Sequence, residues 1–91
     1  MPFELEWSEH ATDHGISRAE SELVLEGRDA NLLLDLGLQK GERRYAFVGP
    51  SATQGIIVVI TTVRGERQRV ISAYPIDRGR YYRAYQEWSK R

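Results

Sequence analysis

Residues 55–63 read Gly-Ile-Ile-Val-Val-Ile-Thr-Thr-Val, and this stretch decides the fold class of the 91-residue chain. β-Branched side chains fill the run from Ile56 to Val63, so both alternate sets of positions are largely apolar. Because successive side chains of a strand point to opposite faces, such a run is typical of a strand covered on both sides. We therefore predict a strand over residues 55–63 at the centre of a sheet rather than at its edge.

The segments on either side of this run also read as strands. Leucine occupies every second position of residues 31–38, and residues 42–49 split into two alternating sets. A turn at Arg64-Gly65-Glu66-Arg67 leads into another β-rich segment, and the first residues of the chain alternate apolar and acidic. The prediction is one mainly antiparallel sheet with strands at 3–7, 31–38, 42–49, 55–63 and 67–74.

Helix signals occur before and after these strands. A short helix is expected over residues 8–13, and the capping box Ser17-Arg18-Ala19-Glu20 opens a second helix. A final helix is expected over residues 77–89, with Asp77 as its N-cap. This order of elements predicts an α+β fold, a small sheet flanked by N-terminal helices and a C-terminal helix, in a single domain over residues 1–91.

Composition excludes several classes of protein. Cysteine is absent, so the chain has neither a disulfide framework nor a thiolate metal site. The longest apolar run, residues 56–60, is far too short to span a bilayer, and the first residues lack the pattern of a signal peptide. We therefore expect a soluble cytoplasmic protein with no membrane partner.

The formal net charge of zero conceals an asymmetry between the two halves of the chain. Residues 1–39 hold nine acids and two bases, a net of 2 − 9 = −7, whereas residues 40–91 hold eleven bases and four acids, a net of 11 − 4 = +7. All but two of the thirteen bases are arginine, whose planar guanidinium suits phosphate and carboxylate. The C-terminal half therefore either carries a basic surface for an anionic partner or pairs with the acidic half.

The arginines fall at positions that can bring several of them together. Arg67 and Arg69 share one face of a strand because the side-chain period is two. Arg43 and Arg44 begin a second strand, and further arginines lie on the last helix. Such a cluster suits nucleic-acid phosphates, with nearby tyrosines stacking on bases, although an ion-paired surface has the same composition. The helix aromatics Tyr81, Tyr85 and Trp88 have core spacing, whereas Tyr82 lies off that stripe.

Two histidines, His10 and His14, are spaced like a metal-binding pair on a helix. The residue after His10 is Ala11 instead of the glutamate that a zinc-protease motif requires, so we expect no metal ion. His14 precedes a glycine, where a histidine often bonds the last carbonyls of a helix. Acid–base chemistry or substrate binding is the alternative interpretation of His14.

An ordered set of short motifs covers nearly the whole chain and resembles the BrnT toxins, a family of the RelE/ParE-like superfamily of type II toxin–antitoxin ribonucleases. The resemblance implies a small sheet flanked by helices and an antitoxin partner encoded beside the toxin. The motifs are Phe3 to Trp7, His14-Gly15-Ile16, Gly41-Glu42-Arg43-Arg44-Tyr45-Ala46-Phe47-Val48-Gly49, Gly55-Ile56-Ile57-Val58-Val59-Ile60 and Arg69-Val70-Ile71-Ser72-Ala73, followed by a helix rich in Arg and Tyr.

The chain departs from the usual pattern of these toxins at three positions. Tyr74 follows Ser-Ala where the family usually has arginine, Arg80 stands at a usually acidic position, and Asp13 replaces a lysine. The departures keep two alternatives open. One is a non-catalytic ParE-like module that inhibits a protein target such as gyrase, and the other is an inactive relative that acts as an interaction partner.

The resemblance implies a metal-independent endoribonuclease without cofactors, in which the 2′-hydroxyl of RNA attacks the adjacent phosphate. Such a site needs cations, a base and an acid. The expected partners are RNA, free or on the ribosome, and an antitoxin that forms a hetero-oligomer by covering the Arg-rich face. The expected cations are Arg43, Arg44 and Arg69, the base is His14 or Glu42, the acid is Tyr74 or His14, and the RNA-binding residues are Arg67, Arg78, Arg80 and Tyr82.

Overall fold

The computed structural model describes residues 4–27 and 31–90, so Phe3 of the predicted first strand lies outside the described residues. Within these ranges, five strands form one sheet in the spatial order β1-β5-β4-β3-β2, and there are two α-helices. The elements are β1 (Glu4–Trp7), α1 (Arg18–Glu26), β2 (Leu32–Gln39), β3 (Glu42–Pro50), β4 (Ile56–Arg64), β5 (Arg67–Pro75) and α2 (Arg80–Ser89).

The strand predicted from residues 55–63 is confirmed as the centre of the sheet. β4 has two strands on each side of it, and every residue from Ile57 to Thr62 is buried. The burial of six consecutive residues follows from coverage of both faces, since only then are both alternate sets of side chains removed from water.

The sheet is mixed, which corrects the prediction of a mainly antiparallel sheet. β2, β3, β4 and β5 pair in sequence as an antiparallel meander, but β1 pairs in parallel with β5. These two strands come from opposite ends of the chain, so no hairpin turn between them imposes the antiparallel direction.

The helices differ from the prediction at two points. Residues 9–14 form successive turns instead of a helix, because the amides of Ala11, Asp13 and Gly15 donate to carbonyls three residues earlier. The final helix begins at Arg80 rather than at Asp77, after Gly79 at φ 89°. α1 follows the prediction, and the Ser17 hydroxyl that caps it accepts a hydrogen bond from the Glu20 amide at 3.2 Å.

The two helices pack against opposite faces of the sheet. On the α1 face, Val24 lies in a buried cluster with Ile57 and Val59 of β4. On the α2 face, the intervening residues Val58 and Ile60 are buried, and Tyr81 and Tyr85 of α2 pack against them. No helix within the described ranges is long and apolar enough to cross a membrane.

Candidate functional site

A β-bulge in β5 decides which face of the sheet receives its arginines. Ser72 pairs with Ile60, but the next pair along is Val70 with Thr61, so Ile71 is an extra residue without a partner in β4. Because of this extra residue, the side chains of β5 that precede Ile71 point to the opposite faces from those that regular alternation would give them. Arg69 therefore lies opposite Thr62, on the α2 face, rather than on the α1 face.

Four arginines share this part of the α2 face, and we name them the cation cluster. Thr62 of β4 pairs with Arg44 on one side and with Arg69 on the other, so these two arginines flank one threonine across three strands. Two strand spacings place their Cα atoms roughly 10 Å apart. The cation cluster consists of Arg44, Arg64, Arg67 and Arg69.

Two carboxylates hold three of these guanidiniums. Glu6 of β1 accepts from Arg69 Nη1 at 3.0 Å through Oε1 and from Arg67 Nη1 at 3.2 Å through Oε2. Glu42 accepts from Arg64 Nε at 2.5 Å. The hydrogen bond from Arg69, followed by that from Arg67, lowers the pKa of Glu6, and the hydrogen bond from Arg64 does the same for the pKa of Glu42. In both acids the arginines therefore favour the ionised form.

Arg44 differs from the other three members of the cation cluster. Its Nε is a buried donor without a hydrogen-bond partner among the described residues. The positive charge of Arg44 nevertheless contributes to the lowered pKa of Glu42. A buried guanidinium donor without an acceptor is costly in the free protein.

Arg43 is separated from this cluster, which corrects the expectation that Arg43 and Arg44 act on one face. Adjacent residues of a strand point to opposite sides of a sheet. Arg43 accordingly lies on the α1 face, where its Nη1 donates to Asp35 Oδ2 at 3.0 Å and Oδ1 at 3.2 Å.

A second group of predicted residues lies further along β5. The rings of His14 and Tyr74 meet edge to face with their centroids 5.8 Å apart. Tyr74 packs on the α2-face core, and burial raises the pKa of its hydroxyl. Arg69 and Tyr74 are five positions apart, which corresponds to roughly 15 Å of strand. The predicted catalytic residues on the α2 face thus form two groups instead of one.

We name the residues around Tyr74 the aromatic group; it consists of His14, Tyr74, Arg80 and Tyr81. Arg80 therefore lies outside the cation cluster. Its guanidinium lies 4.8 Å from the ring centroid of Tyr81, and its Nη2 donates to the Tyr81 hydroxyl at 2.9 Å. Arg78 pairs instead with the adjacent Asp77 at 3.1 Å, and both side chains are well exposed. Tyr82 is half-buried on α2.

Sequence reasoning missed two members of the site, Glu6 and Arg64, and assigned Arg64 only to a turn. The alternation of Glu4 and Glu6 with apolar residues marked a half-buried strand, but nothing in it showed that this strand lies beside β5. Across residues 4–27 and 31–90, no three His, Asp or Glu side chains lie close enough together to hold a metal ion. The groups that the site offers are guanidinium donors, ionised carboxylates and aromatic rings.

A surface of this kind suits a nucleic-acid strand, because the guanidiniums would bind its phosphates and the aromatic rings would stack against its bases. No curated protein matches the chain. The family model of BrnT, the ribonuclease toxin of a type II toxin–antitoxin system, matches residues 7–79. Because this match includes α1 and all the strands from β2 to β5, the chain belongs to the BrnT family of ribonuclease toxins of type II toxin–antitoxin systems.

Proposed function

We propose that this toxin is a metal-independent endoribonuclease that cleaves cytoplasmic RNA on the α2 face of its sheet. The observation that carries the proposal is the row across β3, β4 and β5, in which Arg44 and Arg69 flank Thr62. Arg44 contributes a partly buried guanidinium whose Nε has no acceptor within residues 4–27 and 31–90, and Arg69 contributes a half-buried guanidinium held by Glu6. Two guanidiniums at this spacing would bind the scissile phosphate and stabilise the charge that develops on it.

The neighbouring groups suggest how the reaction proceeds. Glu42 is bonded to Arg64 and lies close enough to Arg44 and Arg69 to interact with their charges. Its ionised carboxylate would take the proton of the attacking 2′-hydroxyl. The oxygen of that hydroxyl then bonds to phosphorus, and the bond from phosphorus to the 5′-oxygen of the next nucleotide breaks.

The aromatic group would bind the RNA beside the cleavage point. His14 and Tyr74 lie on the same face as the cation cluster but further along β5, and Arg80 lies over Tyr81 next to them. We propose that a flanking base stacks here, because aromatic rings and arginine planes accept any base. Tyr74 or His14 would give its proton to the leaving 5′-oxygen when the RNA lies across the cation cluster and the aromatic group together.

The antitoxin implied by the family is proposed to dock on this same face. Acidic side chains of the antitoxin would pair with the cation cluster and exclude RNA phosphates. Such charge pairing accelerates association and sets specificity more than it raises affinity. The result is a hetero-oligomer in which the cleavage site is covered.

Cleavage assays with chelator and with modified RNA test the proposal. The purified protein should cut an unmodified RNA in the presence of EDTA and leave products with a 2′,3′-cyclic phosphate, whereas the same RNA with 2′-O-methyl groups should stay intact. Loss of cleavage in EDTA would contradict metal independence, and cleavage of the methylated RNA would contradict the 2′-hydroxyl as nucleophile. Growth arrest without RNA cleavage but with altered DNA topology would support the protein-inhibiting alternative instead.

A further inference from the structure

The carboxylate of Glu6 bridges two members of the cation cluster, Arg67 and Arg69. Each of its oxygens accepts from a different arginine, Oε1 from Arg69 and Oε2 from Arg67. The parallel pairing of β1 with β5 puts Glu6 directly opposite Arg69. Arginine side chains have several rotatable bonds, and a shared partner restricts those of both residues at once.

We infer that Glu6 is a positioning residue, which holds Arg69 and Arg67 side by side so that Arg69 meets the scissile phosphate in a fixed orientation. This inference rests on the proposed function, because it assigns Glu6 a role in that same site. The carboxylate itself would not contact the reacting atoms. Its negative charge lowers the attraction of the site for RNA, so its presence favours orientation over binding strength.

The chain provides a matched control for this role in Glu4. Glu4 lies on the same strand and faces the same side as Glu6, opposite Arg67 in the register, but its side chain is exposed and forms no ion pair among the described residues. Glu4→Gln and Glu6→Gln remove the same charge from neighbouring positions. A role that depends only on the net charge of this strand would therefore give similar results for both substitutions.

The decisive measurement separates kcat from KM with an RNA oligonucleotide that carries a fluorophore and a quencher. Glu6→Gln should lower kcat about ten- to a hundredfold, because a poorly oriented catalytic group costs rate of this size. Its KM should stay the same or fall, since a repulsive charge has been removed. Glu4→Gln should keep the kcat of the unaltered protein. An unchanged kcat for Glu6→Gln would overturn the inference.

Glu6→Asp distinguishes geometry from charge. This substitution keeps the negative charge but withdraws the carboxylate by one methylene, so that it cannot reach both guanidiniums. We expect a lower kcat with an unchanged KM, and a kcat equal to that of the unaltered protein would overturn the positioning role. Circular dichroism and the thermal midpoint confirm that each variant is folded.

Arginine side-chain NMR tests the inference without any cleavage. The guanidinium signals of Arg67 and Arg69 should show restricted rotation in the unaltered protein and in Glu4→Gln, and freer rotation in Glu6→Gln. Unchanged signals in Glu6→Gln would refute the positioning role even if the protein cuts no RNA. Conversely, absence of cleavage by the unaltered protein, combined with the expected NMR change, would refute the proposed function and leave the positioning of Arg69 established.

Discussion

Arg69 and Arg43 test the candidate site at the level of single residues. Arg69→Ala should reduce RNA cleavage about 100- to 1000-fold, the usual effect of removing one group that stabilises transition-state charge. Arg43→Ala should leave cleavage intact, because Arg43 pairs with Asp35 on the opposite face. The measurement is the cleavage rate of each purified variant, together with growth arrest on induction.

Circular dichroism is the folding control for these two variants. Arg69 is part of a half-exposed ion pair, and pairs of that kind contribute little to stability. A cleavage defect in Arg43→Ala equal to that in Arg69→Ala would move the active site away from the α2 face.

The pH dependence of stability should report the ion pair of Glu42. The Arg64 hydrogen bond lowers the pKa of Glu42 below its ordinary value of 4.5, so the pair stabilises the fold above that value and the stabilisation is lost as the pH falls through the lowered pKa. Thermal midpoints measured from about pH 6 to about pH 3 should therefore fall more steeply for the unaltered protein than for Glu42→Gln. Glu66→Gln, in the exposed turn after β4, should retain the steep fall.

At the same scale, the sequence supplied the identities of the site arginines but not their grouping. Alternation correctly predicted that Arg67 and Arg69 share a face. It gave no sign of the extra residue Ile71, which sets which face that is. The separation of Arg43 from Arg44 could have been predicted from the sequence, because the period of two already places adjacent residues on opposite faces.

The first helix illustrates how far local signals predict an element. The capping box was recognised in the sequence, and Ser17 does cap α1. The Glu20 side chain, however, also accepts from the Thr53 hydroxyl at 2.9 Å, a contact between residues 33 positions apart that no local pattern contains. Strand positions were predicted to within a residue or two because alternation is strong, whereas the parallel pairing of β1 depends on contacts between the ends of the chain.

Ser17→Ala should destabilise the protein by about 1 kcal/mol, since the first turn of α1 loses the acceptor for its Glu20 amide. Urea unfolding monitored by circular dichroism measures the change. Thr53→Ala is the matched control, because it removes the hydrogen bond from Thr53 to Glu20 without altering the cap, and its effect should be smaller. Equal unfolding midpoints for Ser17→Ala and the unaltered protein would show that the cap does not stabilise α1.

At the scale of the whole molecule, the sheet presents two different surfaces. The α2 face carries the cation cluster and the aromatic group. The α1 face carries an open, largely apolar groove of about 330 Å³ beyond the part of the sheet that α1 covers. The groove is lined by Leu33, Tyr45, Phe47, Val63 and Gln68. An antitoxin that binds through charged side chains would therefore cover the α2 face, whereas one that binds through apolar side chains would cover the α1 face.

Charge reversal on each face decides between these docking modes. Arg44→Glu introduces an acid into the cation cluster, whereas Arg43→Glu introduces the same charge on the face that contains the groove. If the antitoxin covers the α2 face, Arg44→Glu should slow its association and weaken the salt dependence of that rate, and Arg43→Glu should change both much less. Association rates measured by stopped flow at several salt concentrations provide the comparison. The reverse order of effects would place the antitoxin on the α1 face and leave the cation cluster open to RNA in the complex, so the complex would then still bind RNA.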